Sequence, residues 1–120
     1  MNTSKRIHYV RILVAGFLAE ALVFAAVIPV LIVAGQRPLL YVAPAASLLA
    51  FFLIAFWICR PLESGFILHG ALAGVVGSLI YVAITRAQPE PFAYLVAHGL
   101  KIVGGAAGGF VAGRRRAATS

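Results

Sequence analysis

HGLKIVGGAAGG, residues 98–109, sets a lysine inside a run that is otherwise apolar and rich in glycine. In a soluble loop Lys101 would need no account. In a bilayer crossing it needs a partner, because hydrocarbon supplies neither water nor counter-charge. Winding the run 92–113 at about 100° per residue gathers Tyr94, His98, Lys101, Gly104, Gly105, Gly108 and Ala112 on one arc. Val96, Val103 and Phe110 fall opposite. A polar, glycine-rich face against a bulky apolar one is the pattern of a helix that meets protein on one side and lipid on the other.

Three more apolar runs precede it, at 12–34, 39–59 and 65–85, each near the ~20 residues that cross a ~30 Å hydrocarbon core. The separators GQRP (35–38), RPLES (60–64) and RAQPEP (86–91) are short and carry helix breakers. Links this short return each helix antiparallel to the last. The expectation is therefore an all-α, polytopic membrane protein: a single domain over 1–120, with four transmembrane helices in an antiparallel up-down bundle and short basic tails. Composition agrees, since 62% of the chain is hydrophobic and 11% charged, too little charge to cover a soluble domain of 120 residues. The first run is longer than the roughly 7–15 residues of a cleavable signal segment, which makes it a retained helix.

Orientation follows from the bases. Lys5, Arg6, Arg11, Arg60, Arg114, Arg115 and Arg116 fall on one side of the four runs, and Arg37 and Arg86 on the other. The positive-inside rule then places both termini in the cytoplasm, with a bacterial-type cytoplasmic membrane as the setting. The terminal bases fix topology and have anionic lipid head groups as partners. The net charge of +7 carries no stripe of bases interleaved with aromatics, which argues against nucleic acid as a partner.

Four ionisable side chains lie at depth: Glu20, His69, His98 and Lys101. Glu20 is about 12 Å from the inner end of its helix and Lys101 about 14 Å from the outer end of its own, at 1.5 Å per residue. Both levels fall near the midplane and the charges are opposite, so a buried Glu20–Lys101 pair joining the first and last helices is expected. His98, one turn from Lys101 on the same face, completes the candidate site. His69 reads as a structural histidine near the cytoplasmic boundary.

Packing faces follow from the small residues. Gly70, Gly74, Gly77 and Tyr81 make one stripe on the third helix. Gly104–Gly108 and Gly105–Gly109 repeat the G-x-x-x-G spacing that lets backbones approach closely. On the first helix Gly16, Phe17, Phe24 and Val27 share the Glu20 side, and Ala15, Ala19 and Ala26 form a separate stripe. Pro29 should kink that helix. The second helix, LLYVAPAASLLAFFLIAFWIC, reads as a lipid-facing or packing element with almost nothing polar.

Three acids, three histidines and the lone Cys59 share no metal-ligand spacing on one helix and form no nucleophile–base set. Neither an enzyme nor a metal or cofactor is expected. Two function classes remain. The first is a structural, interaction or accessory bundle, with lipids, a second copy or another membrane protein as partners. The alternative is a small transporter or channel subunit, in which Glu20, Lys101 and His98 would line a path for protons or a small charged solute.

Overall fold

The computed structural model describes residues 8–35, 37–62, 65–85 and 92–119, and the elements in it are four helices. They are α1 (Tyr9–Ala34), α2 (Leu39–Cys59), α3 (Phe66–Thr85) and α4 (Phe92–Thr119). All four are long and apolar enough to cross a membrane. Large apolar side chains such as Phe17, Ile32, Leu53, Trp57, Leu79 and Val103 are exposed on every helix, a surface suited to hydrocarbon and not to water.

The helix ends follow from local chemistry. Gly35 takes φ +82°, a left-handed conformation that costs glycine little, and its N–H caps the Leu31 carbonyl at 3.1 Å. Pro38 precedes α2, where its missing N–H is no loss, and its carbonyl accepts from Tyr41 and Val42. Gly65, at φ +71°, turns the chain into α3, and its carbonyl accepts the His69 N–H at 2.9 Å. α1 begins at Tyr9 and so includes Arg11. α4 runs to Thr119 instead of stopping at 113, because the arginine- and alanine-rich segment after Gly113 contains no breaker and favours helix. Pro29 lies inside α1, which continues through it to Ala34.

The doubled glycines of α4 serve two neighbours at once. Adjacent residues on a helix point about 100° apart, so Gly104 and Gly108 face one partner while Gly105 and Gly109 face another. A Cβ at Gly104 would lie 2.5 Å from the Leu48 carbonyl oxygen, and one at Gly108 would overlap the Phe52 carbonyl, both on α2. A Cβ at Gly105 would overlap the Gly70 carbonyl and one at Gly109 the Phe66 carbonyl, both on α3. Gly70 meets Gly105 reciprocally, and a Cβ at Gly74 would stand 2.5 Å from the Lys101 carbonyl oxygen. Residue numbers rise along α3 as they fall along α4, whereas α2 and α4 rise together.

α1 is seated against α2 and α3, with Gly16 against Val76 and Ala19 and Val23 clustered with Ala50 and Phe51. Among the described residues, α1 and α4 nowhere bring their Cα atoms within 8 Å. The first and last helices therefore stand diagonally across the bundle. The buried face of α1 comprises Ile12, Ala15, Gly16, Ala19, Glu20 and Val23. The sequence pattern sets Phe17 beside Glu20 and Ala15 and Ala19 apart from it, whereas Phe17 is exposed and Ala15 and Ala19 share the buried side with Glu20. The reason is geometric, since the interior edge of an all-apolar helix is marked by small side chains that admit a neighbour, while bulky ones can face lipid.

Candidate functional site

Four helices meet at one charged point. From α1, Glu20 projects between α2 and α3. From α4, Lys101 reaches back along the diagonal, and its Nζ lies 2.8 Å from Glu20 Oε1 and donates to Oε2 at 3.1 Å. Both residues are 2% exposed. The gap that separates the two helices is closed by side chains alone, which is why a glutamate and a lysine, with their long flexible stems, suit these positions.

The remaining two helices supply the surroundings. The Lys101 ammonium stands 5.0 Å from the centroid of the Tyr81 ring on α3 and 6.0 Å from that of Phe51 on α2. Ring faces carry partial negative charge and stabilise a cation where water is absent. Gly77 leaves room for this assembly: a Cβ there would overlap the Phe51 ring and come within 3.4 Å of Glu20 Oε1. Tyr81 in turn stacks on Phe24 at 6.1 Å and takes the His98 ring edge-on at 4.8 Å.

A cavity of about 260 Å³ opens above the pair, toward the Gly35 turn. Glu20, Lys101, His98, Tyr81 and Ser47 contribute its polar lining, and the walls are apolar side chains of α1 and α2 with Ala97 of α4. Glu20, Lys101 and His98 thus border one space. On the opposite side of the pair, the glycine contacts of α4 with α2 and α3 bring backbone against backbone.

No protein family, curated protein or solved structure was found to match the chain. The chemistry must be read from the residues themselves. Among the described residues no three His, Cys, Asp or Glu side chains converge in a way that could hold a metal ion.

The other candidate residues gather at the far, basic end. His69 is buried, with Nε2 accepting the His8 backbone N–H at 3.0 Å and Nδ1 lying 2.7 Å from the Gly65 carbonyl oxygen, so that Nδ1 donates. It ties the start of α1 to the start of α3 and stands apart from the cavity. Arg11 donates to the Ile58 carbonyl at 3.1 Å. Arg60 and Arg115 lie against the Phe56 ring, and Arg114 against Phe110. Lys5 and Arg6 lie outside the described residues, as does the side chain of Arg116. Cys59 is a buried free thiol that donates to the Phe66 carbonyl at 3.7 Å.

Ser47 escaped the sequence reading. It is 1% exposed, lines the cavity, and its Oγ has no hydrogen-bond partner among the described residues. The available signal was its solitude: it is the sole serine in a helix otherwise dismissed as apolar, and it sits one turn from Ala43 and Phe51 on the face that proves buried.

Proposed function

We propose that this chain is a multi-pass membrane protein of structural or interaction type, a four-crossing bundle whose register is fixed by the buried Glu20–Lys101 pair. One observation carries the reading: the pair is fully buried and spans the diagonal between two helices that share no backbone approach. A mismatch in the register of α1 against α4 would leave an ammonium or a carboxylate alone in a medium of low dielectric, which is far more costly than a misplaced leucine. The crossings alternate in direction, the basic end lies in the cytoplasm, and its arginines meet anionic head groups. The role includes no catalysis. Partners are lipids and a second copy or another membrane protein.

The cavity favours a second reading, in which Glu20, Lys101 and His98 end a path for protons or a small charged solute. The structural reading is preferred because the path stops at the pair, where α4 is held against α2 and α3 by glycine contacts with no intervening side chain.

A swap series separates the two. Glu20→Gln and Lys101→Met are each expected to lose about 3–5 kcal/mol in reversible unfolding from detergent, with the double variant recovering most of the loss. Single variants that stay fully stable but lose proton or ion flux in proteoliposomes would give the place to transport.

A further inference from the structure

At the basic end, the seam between α1 and α2 holds an open groove of about 490 Å³ lined by Arg11, Trp57, Ile58, Arg60 and Pro61. We propose that it seats the phosphate of an anionic phospholipid, one lipid per chain, gripped by Arg11 and Arg60.

The positive charge there is held in place. Arg11 is half-buried, and its Nη1 donates to the Ile58 carbonyl at 3.1 Å, which lays the guanidinium across the seam. A guanidinium offers five N–H groups in a rigid fork, and this bond takes one of them. A fork fixed in advance loses little freedom when it meets phosphate, whose oxygens match its geometry. Arg60 is exposed on the same groove, just past the end of α2. Two cations lining one concave surface raise its potential and favour an anion. Glu20, the one acid among the described residues, is taken up by Lys101, and Glu63, the acid this end carries by sequence, is outnumbered by the bases around it.

The continuation of the groove tells a lipid from a free phosphate. Arg11 and Ile58 also line a second groove with Val10 and Val14. Val14 in turn lines a third with Leu13, Phe17, Leu18, Val76 and Ile80, all apolar. Leu18 lies about 10 Å deeper than Arg11, at 1.5 Å per residue. A charged seat that runs into an apolar track fits an amphiphile, with its head group above and an acyl chain beneath. Trp57 is 52% exposed at the level of the two arginines, and its amphipathic ring belongs at the membrane–water interface.

The seat deepens the proposed meeting of these arginines with anionic head groups, and rests on it for placing this end at the cytoplasmic leaflet. Trp57 is the chain's one tryptophan and reports on the groove by fluorescence. The test reconstitutes the full chain in phosphatidylcholine vesicles and compares quenching of Trp57 by brominated phosphatidylglycerol and brominated phosphatidylcholine. A saturable preference of about tenfold for phosphatidylglycerol is expected, the effect of one charge-assisted hydrogen bond gained, and inorganic phosphate in excess should not displace it. Arg11→Gln, confirmed as folded by circular dichroism, should lose most of that preference, and so should Arg60→Gln, at an exposed position. Arg114→Gln removes the same charge from an arginine laid against Phe110, and should lower the preference by no more than about twofold, through the surface potential alone. Equal losses in Arg11→Gln and Arg114→Gln would overturn the seat and leave only a diffuse attraction of lipid to the whole basic end. Full preference in either folded groove variant overturns it too, as does displacement by inorganic phosphate, which would make a soluble anion the occupant. No preference for phosphatidylglycerol in the parent would overturn the seat and the meeting with head groups together.

Discussion

The bundle has two unlike halves on either side of the Glu20–Lys101 pair. Toward the basic end, the glycines of α4 meet the backbones of α2 and α3 directly, and a side chain at those positions would overlap a carbonyl. Toward the Gly35 turn, the same four helices stand apart around a cavity. Both halves are built from apolar residues, so the hydrophobic effect does not separate them. In a membrane it barely acts between helices, because lipid tails are as apolar as leucine. What separates them is side-chain size at the interface. Glycine at 104, 105, 108 and 109 admits the neighbours closely, whereas the cavity is bordered on α1 by the bulkier Val23, Phe24, Val27 and Ile28. The ion pair sits where one regime gives way to the other.

Away from the pair itself, the largest expected effect comes from adding a single methyl group to the tight half. Gly105→Ala sets a Cβ onto the Gly70 carbonyl, and a backbone cannot rotate aside as a side chain can. A loss of about 3 kcal/mol, the upper end of the range for overpacking, is expected in reversible unfolding from detergent. A variant as stable as the parent would show that α3 and α4 can part without penalty, and the contrast between the halves would fail.

The open half should respond in the opposite sense. Ser47→Ala removes a buried hydroxyl that has no partner among the described residues, so the empty protein should gain about 1 kcal/mol in the same assay. A loss of that size would instead mean that Ser47 is already hydrogen-bonded in the membrane, by water or lipid.

How much of this was legible beforehand depends on the kind of information each feature needs. The helices are set by apolar runs and by breakers such as Gly35, Pro38 and Gly65, all local, and their bounds fall within a few residues of the expected ones except at the end of α4. Depth is also local, since rise per residue alone brings Glu20 and Lys101 to one level. Which helices adjoin is not local. Hydropathy ranks a face as apolar without saying whether it meets lipid or protein, and for this reason the sequence groups Phe17 with Glu20 and leaves α2 open between a lipid-facing and a packing element. The diagonal placement of α1 and α4, and the cavity it leaves, depend on the relative bulk of residues from four separate segments. Ser47 is informative only once that cavity is known.

The smallest expected effect uses glycine itself as the probe. Gly99 lies on the same helix as Gly105, but on the side of Lys101 where the bundle is open, and a Cβ there would meet nothing within 4 Å. With no neighbour to displace, the change to alanine is felt only through backbone entropy, which favours alanine in a helix by roughly 0.5–1 kcal/mol. Helices in a bilayer remain largely helical when their tertiary contacts are lost, so much of that difference cancels between the two states. Gly99→Ala should therefore raise stability by about 0.5 kcal/mol or less, against a large loss for Gly105→Ala. If Gly99→Ala is destabilising by as much as Gly105→Ala, something absent from the isolated chain packs on that face. A second copy in the membrane would be the first partner to seek there, by cross-linking from a cysteine placed at position 99.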